Sequence, residues 1–458
     1  MTEKVVDLDF SPPTANKKIK ILTISDHPLS PSGVGTQTKY FIAELLRTGK
    51  YEFVSLGGAI KHENYNPVKV EDFGEDWVIY PIDGYGNPDT IRSVLRTTKP
   101  DILWFMTDPR FYPWLWQMEN EVRGLIPMIY YHVWDNYPYP HYNKIWYDST
   151  DVVATISKLT SDIVRVVSPD VEEKYIPHAV PEMFKKDTEQ KNKEFRAELG
   201  VDEDRFIIFW NNRNARRKQS GSLVFWYASF LKKLKKKHKN AKATLLMHTE
   251  VKDPNGQDLF AVAESLGLNQ NDDPKEFLIS QEKVPNERLV QIYSAADVTV
   301  SVSDAEGFGL STFESLACET PIIVTLTGGL QEQVTEIKQM NQDFTLKRNE
   351  KNSGKCIEYK HGIGLEPTSK AIIGSQEVPF IYEDRLSEHQ VVEALMKMYE
   401  YGAEKRNELG KAGREHILKN YNFKKFTESW DELLTEVHDK QGSWENRKGY
   451  KAWELRKI

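Results

Sequence analysis

Short apolar runs alternate with amphipathic segments along most of this chain. Compact apolar or β-branched runs predict strands at Lys18–Ser25, Tyr51–Leu56, Trp77–Tyr80, Ile102–Met106, Met128–His132 and Val152–Ile156. Segments with helical spacing lie between several of these runs, and the first covers Thr38–Leu46. Strands that alternate with helices are typical of a parallel sheet covered by helices on both faces. The first part of the chain is therefore predicted to be a doubly wound α/β domain.

The same alternation restarts at Arg205–Trp210, after a charged, linker-like segment at Lys185–Lys193. We therefore predict two Rossmann-like, doubly wound parallel-sheet domains that face each other across a crevice, with ligands at the carboxyl ends of the strands. The predicted divisions are a flexible tail at 1–17, an N-terminal domain at 18–185, a C-terminal domain at 186–425 and a C-terminal helix at 426–458.

Composition agrees with a soluble protein of two or three domains. The chain has 458 residues, of which 39% are hydrophobic and 28% are charged, and this length exceeds what one ordinary core holds. No apolar run approaches the ~20 residues of a membrane span, and the N-terminus has no apolar signal core. Two cysteines without metal-ligand spacing favour a reducing cytoplasm. The net charge of −7 argues against an extensive cationic surface.

Two carboxylates, Glu306 and Glu314, stand eight residues apart beside a turn with Gly307 and Gly309. The turn precedes a run that reads as a helix start, where free backbone N–H groups and the helix dipole suit a phosphate or a sugar oxygen. Carboxylates accept hydrogen bonds from hydroxyls, and amides donate to phosphate. The pair therefore suits a polyhydroxylated, phosphorylated ligand, although acids near a helix N-terminus also occur without one.

The context of the two glutamates resembles a known family. An A-D-V strand within Tyr293–Ser303 precedes them, and a Gly-Gly turn within Thr327–Val334 follows. This run resembles the donor-binding core of retaining, nucleotide-sugar-dependent glycosyltransferases of the GT-B fold, the family 4-like or "glycosyl transferases group 1" type with an E-x7-E signature. The resemblance implies a donor domain at 186–425, an acceptor domain at 18–185 and a C-terminal helix that crosses back to the first domain.

The resemblance also implies roles for individual residues. Arg213 and Lys218 would stabilise the departing diphosphate, Glu306 would hold sugar hydroxyls, and Glu314 would hold the ribose. The other residues implied to contact the substrates are His132 on the donor sugar, the backbone of Gly33, Gly35, Gly307, Phe308, Gly309 and Leu310, and Val284 at the nucleobase. The expected donor is a UDP- or GDP-sugar. No cofactor, protein nucleophile or metal site is expected, and activity should survive chelation.

The acceptor class stays open at this point. An aromatic segment follows His132, and its prolines hold Tyr137 and Tyr139 in an extended stretch. Exposed rings stack on sugar faces and on nucleobases alike. The interpretation that the net charge favours is a glycan or small-molecule acceptor. A hydroxymethylated DNA base remains an alternative, because a basic run lies at Lys232–Lys239.

An insertion at 335–380 interrupts the family pattern, and such a length favours a functional element such as a flap or a subunit contact. A subunit contact at this insertion would make the protein a homo-oligomer. Two other functions use a similar fold. A nucleotide-sugar epimerase would turn over its substrate without an acceptor, and an inactive nucleotide-sugar-binding module would bind without turnover. The intact glutamate pair and both cations argue against the binding module.

Overall fold

The structure of the protein is a computed structural model, which describes residues 17–269, 273–335 and 353–451. The tail up to residue 16, residues 336–352 of the predicted insertion and the C-terminal residues after 451 lie outside this range. The chain divides into two compact units. The first takes in the described residues of Met1–Trp104, Asn120–Pro127 and Leu434–Ile458, and the second those of Phe105–Glu119 and Met128–Leu433.

Two large sheets carry the fold, with a separate two-stranded hairpin. The eight strands of the first sheet are β1 (Ile19–Asp26), β2 (Tyr51–Gly58), β3 (Val68–Lys69), β4 (Trp77–Pro81), β5 (Ile102–Met106), β6 (Met128–His132), β7 (Val152–Thr155) and β8 (Glu172–Tyr175). Their order is β3-β4-β2-β1-β5-β6-β7-β8. The pairs β1–β2, β2–β4, β6–β7 and β7–β8 are parallel, and the short edge strand β3 is antiparallel to β4.

The second sheet lies wholly in the second unit. Its strands are β9 (Phe206–Asn211), β10 (Ala243–His248), β11 (Phe277–Ser280), β12 (Val298–Ser301), β13 (Ile322–Thr325), β14 (Cys356–Tyr359) and β15 (Gly362–Leu365). Their order is β11-β10-β9-β12-β13-β15-β14, and only the β14–β15 pair is antiparallel. The hairpin consists of β16 (Ser369–Ile373) and β17 (Ile381–Arg385).

Helices connect most of the strands. They are α1 (Gly33–Leu46), α2 (Pro88–Thr98), α3 (Pro113–Gln117), α4 (Glu119–Arg123), α5 (Lys144–Asp148), α6 (Lys158–Val167), α7 (Glu189–Leu199), α8 (Ser220–Lys237), α9 (Leu259–Ser265), α10 (Asn286–Ala295), α11 (Leu310–Ala317), α12 (Leu330–Val334), α13 (Glu388–Glu400), α14 (Gly402–Asn420) and α15 (Phe423–Gln441). No helix in the described ranges is both long and apolar enough to cross a bilayer.

The central strands are buried on both faces, as parallel strands under helices must be. In β9, for example, Phe206 to Trp210 are all buried, and Phe206, Ile208 and Trp210 share a core with apolar residues of α8 and α13. The predicted class of two doubly wound sheets is thereby confirmed. The boundaries at 185 and 425 stay predictions, because the compact units are not divided there.

The C-terminal segment returns to the early part of the chain, as predicted. Trp430 of α15 is buried with its ring edge-on to Tyr131 of β6, at 4.9 Å between centroids. Within the first unit, the Trp444 indole donates to the Pro100 carbonyl oxygen over 2.9 Å, and the Ser443 hydroxyl donates to Asp101 over 2.7 Å. The third tryptophan of this prediction, Trp453, lies outside the described residues.

Part of the predicted insertion belongs to the second sheet. Strand β15 pairs in parallel with β13, with Gly362 opposite Ile322 and Leu365 opposite Thr325. It is therefore a regular strand of the sheet, and β14 extends it at the edge. The hairpin β16–β17 is the part that stands apart from the sheet. A role as a subunit contact stays a prediction.

Candidate active site

Two loops at the carboxyl edge of the second sheet are locked together through their backbones. The first follows β12 and carries Glu306 to Gly309, and the second follows β13 and carries Gly328 and Gly329. The Gly329 N–H donates to the Glu306 carbonyl oxygen over 3.0 Å. A Cβ on Gly328 would lie 1.9 Å from that oxygen, and Gly328 has a φ of +48°. Glycine is required there because only it allows this approach.

Gly309 permits the sharp entry into α11. Its φ is +88°, and a Cβ there would lie 2.4 Å from Leu330 Cδ2. The Gln333 side-chain amide donates to the carbonyl oxygens of Phe308 and Gly309 over 2.6 and 3.0 Å. These bonds fix the loop so that the first turn of α11, beginning at Leu310, presents its N–H groups at the sheet edge. The predicted backbone donors thus occupy one rigid turn.

Glu306 forms a buried ion pair with Lys218, whose ammonium donates to Glu306 Oε2. Burial is the largest influence on the Glu306 carboxyl and raises its pKa. The combined charges of Lys218 and Arg217 outweigh burial and hold the pKa of Glu306 below its usual range. Glu306 is therefore an anion at neutral pH. Two predicted site residues that are 88 positions apart meet here.

Lys218 is placed by a short turn after β9. Residues Arg216–Lys218 form a single 3₁₀ turn, which ends at Gln219 with a φ of +55°. The Asp304 N–H donates to the Arg217 carbonyl oxygen over 2.8 Å, and the Arg217 guanidinium donates to the Ala305 carbonyl oxygen over 2.7 Å. The loops after the adjacent strands β9 and β12 are thus held against each other beside Glu306.

Arg213, the other predicted diphosphate ligand, does not join this pair. Its guanidinium binds both carboxylate oxygens of Asp253, over 2.7 and 3.1 Å, and its side chain is 63% exposed. Arg217, four positions later in the chain, lies at the glutamate loop instead. The role of Arg213 stays a prediction that requires it to exchange Asp253 for the diphosphate.

Glu314 lies on α11 and accepts a hydrogen bond from the Tyr293 hydroxyl over 2.8 Å. The Asn211 amide at the end of β9 donates to the same hydroxyl over 2.9 Å. Burial raises the pKa of Glu314 to about 7, and the Tyr293 hydrogen bond opposes that rise. A carboxylate that titrates near neutrality can accept hydrogen bonds from hydroxyl groups once it is ionised, and contact of Glu314 with a ribose stays a prediction.

His132 occupies the core of the first sheet. Its ring is fully buried, and Nε2 shares a hydrogen bond of 2.7 Å with the Tyr147 hydroxyl. Burial lowers the pKa of the imidazole to about 3, so the ring is neutral and cannot take up a proton at physiological pH. Nδ1 has no hydrogen-bond partner among the described residues. Contact of this ring or its backbone with a donor sugar stays a prediction.

Phe308 contributes its ring to the protein interior rather than to an open surface. It packs at 4.9 Å from His178 and at 4.9 Å from Phe313. The sequence analysis did not single out His178, which follows β8. Its Nδ1 shares a hydrogen bond of 2.9 Å with the Tyr131 hydroxyl, and burial lowers its pKa to about 3. This neutral histidine supports the loop that carries Glu306.

Glu332, in the helix after the Gly-Gly turn, was also missed. Its carboxylate accepts from the Lys158 N–H over 2.5 Å, at the start of α6, and from the Tyr175 hydroxyl over 3.0 Å. Burial raises the pKa of Glu332 to about 7. The residue therefore ties the Gly-Gly turn to the β7–β8 region. Nothing in the local sequence distinguishes it from an exposed acid of a helical first turn.

The predicted acceptor tyrosines are anchored to a helix. The hydroxyls of Tyr137 and Tyr139 both donate to Asp162 Oδ2 on α6, over 2.7 and 2.9 Å, and their rings are 5.2 Å apart. Trp134 is buried and donates to the Asn136 carbonyl oxygen over 2.9 Å. Both tyrosines are half-buried, so one part of each ring stays accessible.

The remaining predicted residues are Val284, Gly33 and Gly35. Val284 is half-buried in the loop between β11 and α10, at the carboxyl edge of the second sheet. Gly33 and Gly35 belong to the first unit, in the first turn of α1. A Cβ on Gly35 would lie 2.5 Å from Ser30 Oγ, so glycine is needed there for packing. Their roles towards a nucleotide sugar stay predictions.

Comparison with known proteins shows which enzymes this chain is similar to. Residues 191–351, which include Lys218, Glu306 and Glu314, match the family model described as Glycosyl transferases group 1. This segment is therefore similar to the glycosyl transferases group 1 family. Curated glycosyltransferases match over shorter stretches. D-inositol 3-phosphate glycosyltransferase of Acidothermus cellulolyticus is 38% identical over 78 residues, and that of Corynebacterium urealyticum is 50% identical over 54 residues.

These alignments are short relative to the proteins that they match. The first covers 17% of this chain and 16% of the relative, and the second covers 12% and 13%. The chain therefore aligns with less than a fifth of the length of the curated glycosyltransferases it resembles.

Solved structures match the glycosyltransferase-like fold over almost the whole chain. Sucrose-phosphate synthase from Thermosynechococcus elongatus superposes with a TM-score of 0.67 at 16% identity, covering 92% of this chain and 100% of that one. Anabaena HepE in complex with UDP-glucose gives a TM-score of 0.64 at 14% identity, covering 91% and 100%. At these identities the likeness establishes the fold, which is GT-B.

Proposed function

We propose that this protein is a retaining glycosyltransferase that moves a sugar from a nucleoside diphosphate sugar, a UDP-sugar in the first instance, to a hydroxyl group of an acceptor. The buried Lys218–Glu306 pair carries the proposal. It stands beside the N-terminal turn of α11, in a segment similar to the glycosyl transferases group 1 family. Two of the fold neighbours are described in complex with UDP-glucose and with UDP-2-fluoro glucose.

Lys218 supplies a cation where the diphosphate develops negative charge. Its ammonium has three N–H donors. One donor can stay on Glu306 while the others meet phosphate oxygens, so donor binding need not break the ion pair. The N–H groups at the start of α11 add partial positive charge to the same place. Donors fixed before the reaction stabilise a developing charge more than mobile ones do.

Glu306 is held as an anion and can accept hydrogen bonds from sugar hydroxyls. Anionic Glu306 also favours the positive charge that forms at the anomeric carbon as the glycosyl–phosphate bond breaks. A diphosphate oxygen then takes the proton of the acceptor hydroxyl on the face from which it leaves, which gives retention. No protein nucleophile takes part in this scheme.

The nucleoside end of the donor is assigned to Glu314 and Val284. Glu314 is proposed to accept hydrogen bonds from the ribose hydroxyls, with Tyr293 orienting the carboxylate. Val284 is proposed to offer backbone groups to the nucleobase. The residues within the described ranges include no cluster of three or more potential His, Cys, Asp or Glu metal ligands. Metal independence is part of the proposal and is tested by turnover in EDTA.

The decisive experiment is a panel of UDP-, GDP-, ADP- and dTDP-sugars, screened by thermal shift and then by release of the nucleoside diphosphate. Glu306→Ala should lower turnover far more than nucleotide affinity, because its contacts are to the sugar. Glu400→Ala serves as the control because Glu400 pairs with Lys237 on the protein surface. Near-normal turnover in folded Glu306→Ala protein would show that the donor assignment is wrong.

Product analysis separates the alternatives. Transfer with retention gives an acceptor glycoside whose anomeric configuration, read by NMR, equals that of the donor sugar. Interconversion of sugar nucleotides without acceptor would identify an epimerase. Nucleotide binding without any turnover would identify a binding module.

A further inference from the structure

Strand β17 of the hairpin is bound to the loops that carry the donor site. Glu383 is buried, and its carboxylate accepts from both terminal nitrogens of Arg216 over 2.9 and 2.7 Å. Arg385 donates to Glu383 over 2.8 Å and also pairs with Asp304. The Asp384 N–H donates to the Asp304 carbonyl oxygen over 2.9 Å. The hairpin is therefore bound to the loop after β12 at Asp304, two residues before Glu306.

The same strand is bound to the aromatic segment after β6. The Tyr382 N–H donates to the Tyr137 carbonyl oxygen over 2.6 Å, and the Asn136 amide donates to the Tyr382 carbonyl oxygen over 2.8 Å. Just before β17, the Phe380 carbonyl oxygen accepts from the Tyr142 hydroxyl over 2.7 Å, with the two rings 5.7 Å apart. One strand thus connects the donor loops with the segment expected to meet the acceptor.

Two carboxylates, Asp108 and Asp135, follow the neighbouring strands β5 and β6 of the first sheet. Asp135 is 3.8 Å from Arg217, and burial raises its pKa to about 6, with the charges of Glu306 and Asp108 adding to that rise. Asp135 therefore lies within electrostatic reach of both the donor carboxylate and Asp108. Burial also raises the pKa of Tyr142 to about 12, with a contribution from Asp108. Asp135 adjoins Asn136, which is bonded to Tyr382, and Asp108 follows the strand beside β6, so these carboxylates lie on the same side of the sheet edge as the ring pair.

The arginines nearest to Asp108 and Asp135 already face these carboxylates. Asp108 lies 3.6 Å from Arg110, and Arg217 lies beside Asp135. Both guanidiniums therefore face a carboxylate already. The charge of Glu377, which precedes Phe380, adds to the burial that raises the pKa of Asp108. A phosphorylated acceptor would have to approach Asp108, Asp135 and Glu377, whereas the nearest guanidiniums, Arg110 and Arg217, already face Asp108 and Asp135.

We propose that the β16–β17 hairpin forms a wall of the acceptor site and selects an uncharged, polyhydroxylated acceptor, such as a sugar or glycan. The Tyr142–Phe380 ring pair would receive a face of the acceptor ring, and Asp108 and Asp135 would accept its hydroxyl protons. Aromatic faces combined with carboxylate acceptors suit a sugar, whereas an anion would be repelled. The inference rests on the proposed glycosyl transfer and names the acceptor class for it.

The first test compares matched neutral and anionic acceptors with the wild-type protein and the donor found by the sugar-nucleotide panel. The probes are glucose and glucose 6-phosphate, myo-inositol and inositol phosphate, maltotriose, and duplex DNA that contains 5-hydroxymethylated bases. Transfer to at least one neutral polyol, at least tenfold faster than to its phosphorylated counterpart, is expected. Preference for a phosphorylated probe or for DNA, or transfer to none of the neutral probes, would overturn the inference.

The second test separates the hairpin wall from the donor site. Phe380 is 43% exposed, so Phe380→Ala and Phe380→Leu should fold normally. Loss of the ring face should raise the KM for the neutral acceptor about tenfold, as expected for one lost ring contact, while the KM for the donor stays within twofold. Ile372→Ala, at a 73% exposed position of the same hairpin, is the control and should change neither constant.

Asp108→Asn provides an independent readout of charge selection. The substitution should reduce the discrimination between glucose and glucose 6-phosphate, because one opposing charge is removed. Unchanged discrimination, or an unchanged acceptor KM in Phe380→Ala, would show that the hairpin is not the wall of this site. Failure of the proposed function has a different signature. In that case no sugar nucleotide is consumed by the wild-type protein, with or without an acceptor.

Discussion

The Lys218–Glu306 ion pair allows stability and chemistry to be tested separately. The side chains of Lys218 and Glu306 are only 10% and 12% exposed. Removing one partner of a buried pair costs about 3–5 kcal/mol, because the other charge stays buried without compensation. In Lys218→Met, Glu306 keeps a long 3.5 Å contact with the Ser303 hydroxyl and the nearby charge of Arg217. We therefore expect the lower end, about 3 kcal/mol.

The double variant Lys218→Met/Glu306→Leu should recover much of this loss. Replacing a buried ion pair with apolar residues of similar size is often neutral or stabilising. Lys237→Met/Glu400→Leu and its single variants are the matched control, because Lys237 and Glu400 are 58% and 35% exposed. For that surface pair, each single loss should stay below about 1 kcal/mol.

Hydrogen exchange followed by mass spectrometry is the appropriate assay, because a chain with two units need not unfold in one step. Peptides that cover β12 and α11 report the local free energy of opening. Donor turnover, measured in parallel, should be lost in Lys218→Met, in Glu306→Leu and in the double variant. Unchanged protection in Lys218→Met, or a double variant that loses the sum of the two single losses, would refute the reasoning about the pair.

Three other predictions follow from the site. UDP should bind more tightly at pH 8 than at pH 6, because ribose hydroxyls favour ionised Glu314, whose pKa is about 7. In Glu314→Gln, titration calorimetry should show that the part of the pH dependence of UDP affinity due to Glu314 is lost. If it persists, the ribose assignment is contradicted. Gly328→Ala should lower melting temperature and turnover, since a positive φ costs about 1–3 kcal/mol and the Cβ meets Glu306. Gly402→Ala, at a φ of +69° in open space, is the control, and equal losses in both would argue against the clash. Tyr137→Ala or Tyr139→Ala should raise the acceptor KM in steady-state transfer assays without weakening UDP binding, and unchanged values in both would exclude these rings from the groove.

The features that sequence predicted well depend on local signals. The β-branched strand before Glu306 and the glycine turns after β12 and β13 are read from neighbouring residues. Gly309 and Gly328 have positive φ in the structure, which is the property that makes glycine informative in a sequence. The alternation of strands and helices likewise predicted both doubly wound sheets.

The partners of the cations could not be predicted in the same way. Arg213, Arg216 and Arg217 stand within five residues, yet they bind Asp253, Glu383 and the Ala305 carbonyl oxygen, respectively. These partners lie between 40 and 167 positions away. Which arginine reaches the glutamate loop depends on the single turn at Arg216–Lys218, whose direction no local pattern specifies.

His132 shows a second limit. Both faces of a central parallel strand are covered, so β6 has no alternation of polar and apolar residues to show where a side chain points. All five residues of β6 are buried. A histidine at the carboxyl end of such a strand can therefore face the ligand edge or the interior. In the structure its ring lies against Tyr147.

The hairpin β16–β17 was also not predictable from local sequence patterns. Its pattern of short strands predicted neither a sheet partner nor a binding surface, because its important contacts are made with residues far away in the chain. Tyr382 is bound to the segment at Asn136 and Tyr137, while its neighbour Glu383 is bound to Arg216. In the proposed reaction, the acceptor hydroxyl must meet the anomeric carbon within bonding distance, and small displacements reduce the rate strongly. In this scheme, strand β17 would fix that distance, because successive residues bind it to the donor loops and to the aromatic segment after β6. This would explain the position of the hairpin.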